Sequence, residues 1–258
     1  MNALVTGGGR RADEGDGSVG WAVSCLLARH GARVAVLDRD AEAAERTVAD
    51  IEREGGSAQA VIADVSSDDD CRRAVAEAHE GLGGLDVLVN NVAAWSPAEL
   101  FELEPEDFDE LIDVNLKTAW MMSRHATRVM QPGAAIVNVT SVAARRATTG
   151  YGLAKAAVEA MTTGAAPLLG ERGVRINAVE LGPLWTAAVA ANLPEEAREP
   201  RRRMVALQIE GKCWDAAEAV VFLASEQARW ISGQVLAVDG GGPPRAPYPG
   251  VKKAKEAV

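Results

Sequence analysis

The 258-residue chain has no apolar run long enough to span a membrane, and it carries a deficit of basic side chains. A transmembrane helix needs about 20 consecutive apolar residues, and the longest apolar runs are much shorter. With 27 Lys and Arg against 37 Asp and Glu, the net charge is −10. Nucleic acid and anionic membrane surfaces both attract a basic face, so the composition argues against either partner.

Cysteine and histidine are scarce, with three of each. Cys25, Cys71 and Cys213 are odd in number and have no metal-ligand spacing, which favours a reducing, cytoplasmic compartment. The histidines are scattered over predicted helices, so no metal site is expected. Residues 2–5 already have the composition of a strand, so no leader peptide is expected.

Short apolar runs alternate with helical patterns along almost the whole chain. The predicted strands are 2–6, 33–38, 58–63, 86–90, 135–140, 174–179 and 235–238. The predicted helices are one beginning near Ser18, then 41–54, 67–80, 106–130, 150–169 and 215–224. Continuously apolar strands are typical of a parallel sheet that is covered on both faces. The pattern therefore predicts an α/β fold, a doubly wound, Rossmann-type parallel sheet of seven strands with helices on both faces.

A glycine-rich turn joins the first strand to the first helix. Thr6 is followed by three glycines, and the helix begins near Ser18 and Gly20. Such a turn lets backbone N–H groups and a helix N-terminus approach a pyrophosphate. Asp38 closes the second strand, where a carboxylate can accept hydrogen bonds from ribose hydroxyls. Together these features indicate a dinucleotide-binding loop.

Three polar residues near the fifth strand indicate acid–base chemistry. Tyr151 and Lys155 lie four residues apart on a predicted helix, so they project from the same face. A neighbouring ammonium group is expected to lower the phenol pKa toward working pH. Ser141 follows an apolar strand and is expected at the ligand-binding edge of the sheet. The alternative is a packed tyrosine ring beside a lysine that reaches solvent.

These residues, in this order and spacing, make the sequence similar to the short-chain dehydrogenase/reductases over residues 2–242. The matching positions are Thr6-Gly7, Asp38, Asp64-Val65, Asn90-Asn91-Val92-Ala93, Asn115, Ser141, Tyr151 with Lys155, Gly182 to Thr186, and 234–241. The resemblance implies one NAD(P)-binding domain over residues 1–242, with a substrate lid at about 184–211. Residues 243–258 are predicted to form a tail.

The resemblance also implies a role for each catalytic position. Tyr151 would be the general acid/base, and Lys155 would bind the nicotinamide ribose and hold down the tyrosine pKa. Ser141 would hydrogen-bond the substrate oxygen, and Asn115 would anchor a water molecule that connects Lys155 to solvent.

The implied cofactor site extends over both halves of the sheet. Asp64 and Val65 would contact adenine, Asn90 would lie beside the ribose, and Thr186 would meet the nicotinamide carboxamide. The other expected cofactor-binding residues are Gly7, Arg10, Ser18, Val19, Asp38, Arg39, Asn91, Tyr151, Gly182 and Leu184.

Two segments depart from the family pattern. The glycine loop has seven extra residues and has Ser18 in place of the middle glycine, as in the enoyl-reductase branch. That branch separates its tyrosine and lysine more widely, so the interval from Tyr151 to Lys155 argues against membership. Insertions in surface turns cost roughly 0.6 kcal/mol per doubling of loop length, so we expect the loop to function. We also expect its acidic residues to face water and to be balanced by Arg10 or Arg11; they are Asp13, Glu14 and Asp16.

The second departure is the interval between Ser141 and Tyr151, which is three residues shorter than usual. The deletion falls in a predicted loop. It leaves open whether Ser141 keeps its role or passes it to Thr140 or Thr149.

Asp38 favours NAD over NADP, because a fixed carboxylate would repel a 2′-phosphate. Arg39 and Arg10 favour NADP instead.

In the predicted lid, an apolar pocket is expected from Trp185, Leu193, Met204 and Leu207. The arginines at 201–203 either bind a carboxylate or phosphate or balance nearby glutamates on an exposed helix.

The predicted function is an NAD-dependent oxidoreductase that interconverts a secondary alcohol and a ketone by hydride transfer. The expected partner is that small molecule, and the resemblance suggests a homotetramer assembled partly through helices 106–130 and 150–169. Two alternatives stay open. The same tyrosine would serve a dehydratase or epimerase, and the altered loop is compatible with a dinucleotide-binding protein that has no catalytic role.

Overall fold

The computed structural model of the protein describes residues 1–11 and 17–242. Seven parallel strands form one sheet in the order β3-β2-β1-β4-β5-β6-β7, which confirms the predicted fold class. The strands are β1 Asn2–Thr6, β2 Arg33–Asp38, β3 Ser57–Ile62, β4 Val87–Asn90, β5 Ala135–Ser141, β6 Arg175–Leu181 and β7 Val235–Val238. The predicted tail, and Asp13, Glu14 and Asp16, lie outside the described residues.

The strand order reverses direction at β1, which pairs with β2 on one side and β4 on the other. Loops that leave β1 and β4 therefore diverge to opposite faces of the sheet and leave a crevice at its carboxyl edge. The strands are apolar because both faces of the sheet are covered. In β1, for example, Ala3, Leu4 and Val5 are fully buried.

The helices follow the predicted alternation. They are α1 Val19–Arg29, α2 Ala41–Arg53, α3 Asp68–Leu82, α4 Pro105–Ile112, α5 Thr118–Ala126, α6 Gly150–Gly170, α7 Ala187–Asn192, α8 Arg198–Arg203 and α9 Cys213–Ala224. Side-chain caps fix several starting points, as Ser18 does for α1 and Thr149 for α6. Each accepts a hydrogen bond from a backbone N–H of the first turn that has no partner within the helix.

The predicted helix 106–130 is confirmed over residues 106–126, but it ends four residues early and contains a π-helical turn. A π-helical turn, Asp113–Lys117, separates α4 from α5, and α5 ends at Ala126. The Asn115 amide donates to the Leu111 carbonyl at 2.9 Å and so competes with a main-chain N–H for that acceptor. Such turns widen the helix locally and recur at functional sites.

Two apolar cores lie on opposite faces of the sheet. One packs α1, α2 and α9 against it, and the other packs α3, α5 and α6. The three free cysteines are all buried. Within residues 1–11 and 17–242, no helix combines the length and the apolar character that crossing a membrane requires.

Candidate active site

A crevice of about 1270 Å³ runs along the carboxyl edge of the sheet. It is large for a small-molecule site, since such pockets typically hold about 300–1,000 Å³. Fourteen of the predicted site residues line it: Gly7, Ser18, Val19, Asp38, Arg39, Asp64, Val65, Asn91, Ser141, Tyr151, Lys155, Gly182, Leu184 and Thr186. The structure thus brings together residues from both halves of the chain, as the sequence predicts.

The glycine loop approaches the first turn of α1 without room for side chains. A Cβ placed on Gly20 would lie 2.0 Å from the Gly7 carbonyl oxygen, and Gly7 itself has a φ of +61°. Asn91, at the end of β4, fixes the loop from the other side, since its amide donates to the Thr6 and Gly7 carbonyls at 3.1 Å each. The absence of a side chain at Gly20 therefore has a steric basis.

The far end of the loop is tied to β2. Asp38 accepts a hydrogen bond from the Gly9 backbone N–H at 3.0 Å, and a Cβ on Gly9 would lie 2.7 Å from the same carboxylate oxygen. Ser18 caps α1 by accepting from the Trp21 N–H at 3.4 Å. The insertion thus leaves the two ends of the loop in contact with the crevice.

The structure does not bring Arg10 to the crevice. Its guanidinium pairs with Asp50 of α2 at 2.7 Å, and the indole N–H of Trp21 donates to the same carboxylate at 3.0 Å. Asp50 is nearly buried, and burial alone would raise the pKa of its carboxyl. Hydrogen bonds from Arg53, at 2.9 Å, and from Trp21 and Arg10 hold that pKa below the usual value. The neighbouring Arg11 lines the crevice instead.

The end of the crevice near β3 is polar. Asp64 accepts hydrogen bonds from the Ser66 backbone N–H at 3.0 Å and from the Ser66 hydroxyl at 2.8 Å. These bonds hold the pKa of the Asp64 carboxyl below its ordinary value, with a smaller contribution from Arg39. Asp64 is therefore an ionised acceptor at this end.

The opposite end holds the candidate acid–base group. Tyr151 and Ser141 line the crevice together, with the Ser141 hydroxyl close enough to influence the phenol, and Ser141 accepts a hydrogen bond from the Ala143 N–H at 3.2 Å. Ser141 is thus the hydroxyl beside the phenol. Thr149 instead caps α6 by accepting from Gly152 N–H at 3.0 Å, and Thr140 is buried.

The short interval from Ser141 to Tyr151 is accommodated by a compact connection. Residues Val142–Arg145 form a 3₁₀ turn, and Ala147 adopts a positive φ of 50°, which is unusual for a residue with a side chain. A Cβ on Gly152 would lie 2.7 Å from the Ala143 carbonyl oxygen, so the first turn of α6 packs directly on this 3₁₀ turn. The deletion therefore leaves Ser141 in contact with Tyr151.

Lys155 lies beneath the tyrosine ring. It is only 3% exposed, its ammonium donates to the Val139 carbonyl at 3.0 Å, and its Nζ is 5.8 Å from the centroid of the Tyr151 ring. Burial lowers the pKa of Lys155 to about 8.

The predicted lowering of the tyrosine pKa is wrong for this arrangement. Burial raises the pKa of Tyr151, and the nearby Ser141 hydroxyl only partly opposes that effect. The physical reason is that the Lys155 ammonium is directed at a backbone carbonyl, while the phenol is removed from water. In the free crevice the phenol is a proton donor at neutral pH.

Two other predicted residues lie behind the crevice rather than on its wall. The Asn115 amide donates to the Ala94 carbonyl at 2.8 Å, and Asn90 donates to the Asn138 side chain at 2.8 Å. Both line a separate cavity of about 10 Å³ that also reaches Lys155. This volume is about the space that one water molecule needs.

The 184–211 segment forms the outer wall. Thr186 starts α7, and its hydroxyl makes no hydrogen bond within the described chain, so it is available to a ligand. The predicted apolar pocket is wrong: Trp185 is 3% exposed, whereas Met204 and Leu207 are 57% and 64% exposed, and none of them lines the crevice. The wall is made instead by Leu184, residues 187–191 and Arg201.

Several lining residues were missed by sequence reasoning. Gly9, Arg11 and Ser66 neighbour predicted positions, so the motifs carried a signal for them. Glu110 and Asp113 reach the crevice from α4 and the π-helical turn. No pattern in the sequence indicated that these two acidic residues face the site.

Comparisons with known proteins agree with this geometry. The family model described as enoyl-(acyl carrier protein) reductase matches residues 15–242. The chain is 35% identical to (+)-borneol dehydrogenase 2 of Salvia officinalis, over 93% of this chain and 88% of that protein.

Solved structures are equally similar. A dehydrogenase/reductase from Sinorhizobium meliloti 1021 superposes with a TM-score of 0.85 at 35% identity, covering 93% of each chain. A short-chain dehydrogenase from Burkholderia cenocepacia J2315, in complex with NADP, gives 0.84 at 35% identity over 93% of this chain and 97% of that one. With the Tyr151, Lys155 and Ser141 arrangement on the same fold, the chain belongs to the short-chain dehydrogenase/reductase family.

Proposed function

We propose that this oxidoreductase interconverts a secondary alcohol and a ketone, with Tyr151 as the proton donor and acceptor. The observation that supports it most is the position of the partly buried Tyr151, which lines the crevice beside Ser141 and Lys155. The similar Salvia protein is named a borneol dehydrogenase, and borneol is a secondary alcohol.

The crevice suits a nicotinamide dinucleotide. Gly7, Gly9 and Gly20 provide a surface that any side chain would fill, and it lies against the N-terminus of α1, where backbone N–H groups favour a pyrophosphate. Asp38 and Asp64 would hold the adenosine half, and Thr186 would hydrogen-bond the nicotinamide carboxamide. When bound, the nicotinamide ring supplies or accepts the hydride.

The side chains around Tyr151 divide the remaining work. In ketone reduction the phenol donates its proton to the substrate oxygen, and the Ser141 hydroxyl donates a hydrogen bond to the same oxygen. The Lys155 ammonium, 5.8 Å from the ring centroid, stabilises the phenolate that is left. Because burial raises the phenol pKa, the protonated form that ketone reduction needs is the dominant form at neutral pH.

We propose that the proton that returns to Tyr151 comes from solvent by a route behind the crevice. Lys155 and Asn115 both line the 10 Å³ cavity, which suits a single bridging water molecule. The π-helical turn at Asp113–Lys117 turns the Asn115 side chain toward the Ala94 carbonyl and so leaves it fixed beside this cavity. The water would connect the Lys155 ammonium to solvent.

NAD is the proposed coenzyme. Asp38 lies in the crevice at the end of β2, where its carboxylate would repel a 2′-phosphate, and Arg10 is engaged with Asp50. Two observations favour NADP instead: Arg11 and Arg39 line the same end, and the similar Burkholderia protein binds NADP. Dissociation constants for NADH and NADPH, measured on the wild type and Asp38→Ser, test the assignment. Tighter NADPH binding by the wild type would overturn it.

The activity is tested by an absorbance screen at the nicotinamide band with secondary alcohols and ketones, using both coenzymes. We expect coenzyme oxidation with ketones and coenzyme reduction with alcohols. A dehydratase or epimerase would convert its substrate without net change in that band, and product analysis would detect it. A protein without a catalytic role would bind coenzyme and convert nothing.

A homotetramer is proposed from the family resemblance. Two large apolar side chains, Trp120 on α5 and Leu168 on α6, are exposed on the helices expected to pair. Light scattering of the purified protein tests this directly. A mass of four chains of 27.1 kDa is expected, and a monomer mass would contradict it.

A further inference from the structure

Arg201 differs from the other arginines of α8 in having no acidic partner within residues 1–11 and 17–242. Arg198 pairs with glutamates of the same segment, and Arg202 and Arg203 both pair with Glu199. Arg202 and Arg203 follow the prediction of an exposed helix that balances nearby carboxylates. Arg201 does not, because its side chain turns inward and lines the crevice.

The guanidinium of Arg201 is incompletely satisfied. Its Nη2 donates to the Leu184 carbonyl at 3.3 Å, while its buried Nε has no hydrogen-bond acceptor. Burial lowers the pKa of Arg201, but an arginine stays charged at physiological pH. A buried cationic donor without an acceptor is unfavourable until an anion arrives.

Arg201 lies on the side of the crevice where Ser141 and Tyr151 are placed. Leu184, its hydrogen-bond partner, follows β6 by three residues, and the last residue of β6, Leu181, pairs in register with Ser141. The acidic end of the crevice, with Asp38 and Asp64, lies at the ends of β2 and β3 on the other side of the sheet. An anion bound by Arg201 is therefore close to the part of the ligand that reacts.

We infer that Arg201 binds a carboxylate of the substrate, so that the substrates of this enzyme are oxo acids and hydroxy acids. The planar guanidinium matches a carboxylate with two parallel hydrogen bonds. The small side chains at 187–191 in the same wall leave room for an aliphatic chain between the two groups. This inference rests on the proposed function, since it assigns the substrate class of the same site.

Matched pairs of ketones test the inference: 4-oxopentanoate, 5-oxohexanoate and 6-oxoheptanoate, each against its methyl ester. For at least one pair we expect kcat/KM to be higher for the acid. Arg201→Gln should lower kcat/KM for that acid on the order of 10- to 100-fold, as expected for a charge-assisted hydrogen bond, and change the ester value less than about threefold. Arg202→Gln, at an exposed position paired with Glu199, is the matched control and should leave both values unchanged.

Binding measurements separate this inference from the proposed activity. Calorimetry of the same acids and esters with NADH-loaded Tyr151→Phe should show tighter binding of the acid, and addition of Arg201→Gln should abolish that preference. If the wild type turned over none of the ketones but the acids still bound more tightly than the esters, the proposed activity would be rejected and the carboxylate site at Arg201 would stand. The inference would be overturned if acid and ester bound equally well, or if Arg201→Gln weakened the binding of both by the same factor. It would also be overturned if Arg201→Gln lowered only the affinity for NADH, because that result would assign Arg201 to the coenzyme pyrophosphate.

Discussion

The two walls of the crevice are held in place by different interactions. The inner wall is the edge of the sheet, where Gly7, Gly20 and Asn91 make backbone contacts at van der Waals or hydrogen-bond distance. The outer wall is the 184–211 segment, whose helices α7 and α8 have no buried residue and include ion pairs internal to the segment, such as Arg198 with Glu210. Buried Leu184, Trp185 and Val205 join the ends of these helices to the rest of the chain. The comparison indicates that the coenzyme site on the inner wall is fixed, whereas the outer wall opens with a small free-energy cost.

Hydrogen exchange should show the largest difference between the walls. Backbone N–H groups of α7 and α8 are expected to exchange on the order of 10³-fold faster or more than those of β5, because local opening there exposes no core while β5 opens only with global unfolding. Mass spectrometry of peptides from both regions, with and without NADH, measures this. Equal protection of α8 and β5 would show that the outer wall is as fixed as the inner one.

Replacement of Gly20 by alanine should damage the inner wall. The added Cβ would lie 2.0 Å from the Gly7 carbonyl oxygen, so the loop or the helix has to move. We expect the free energy of unfolding to fall by about 1–3 kcal/mol and NADH affinity to fall by about 10- to 100-fold. Denaturant titration and calorimetry measure the two effects.

The matched control for Gly20→Ala is Gly164→Ala in α6. A Cβ at Gly164 meets no atom within 4 Å, so the substitution should raise the free energy of unfolding by about 0.5–1 kcal/mol and leave NADH affinity unchanged. Unchanged NADH affinity in the Gly20 variant would contradict the close approach on which the inner wall depends.

The rate of ketone reduction should depend only weakly on pH, and the rate of alcohol oxidation should depend on it more steeply. Burial raises the pKa of Tyr151 above its ordinary value, so the proton-donating form dominates from pH 6 to 8 and ketone reduction should change little there. Alcohol oxidation needs the phenolate, whose fraction grows about tenfold per pH unit below the pKa. Its rate should therefore rise with pH.

The phenol can also be titrated directly in the free protein. The chain has two tyrosines, and the other, Tyr248, is common to the wild type and Tyr151→Phe. The difference in ultraviolet absorbance between the two proteins should give a midpoint above 10, the ordinary tyrosine pKa. A midpoint near 7 would restore the lowered pKa that the sequence suggested.

The sequence predicts the inner wall well because its residues are tied to regular structure. In any parallel sheet, the strand and helix pattern determines where certain residues lie. This holds for the glycines between a strand and a helix, for Asp38 at a strand end, and for Tyr151 and Lys155 at positions i and i+4 of a helix. The sign of the Tyr151 pKa shift was missed because it depends on burial and on where the Lys155 ammonium is directed. Neither can be read from spacing.

The outer wall could be predicted only in part. Residue types suggested that Met204 and Leu207 would line a pocket, but they are exposed, since the short helices of this segment bury no apolar face. The three arginines at 201–203 look equivalent in sequence, and only the direction of each side chain separates Arg201 from its neighbours. The π-helical turn at Asn115 likewise has no signal in the sequence, and it coincides with a side-chain hydrogen bond from Asn115 to the Leu111 carbonyl.

The most direct test of the account is a comparison of NADH binding and turnover in Tyr151→Phe. The phenol oxygen contributes a proton rather than structure in this account, so the NADH dissociation constant should stay within about twofold of the wild type. Turnover with the best ketone should fall by about 10²- to 10⁴-fold, the range expected for loss of a general acid. Turnover that survives in this variant would contradict the central role of Tyr151.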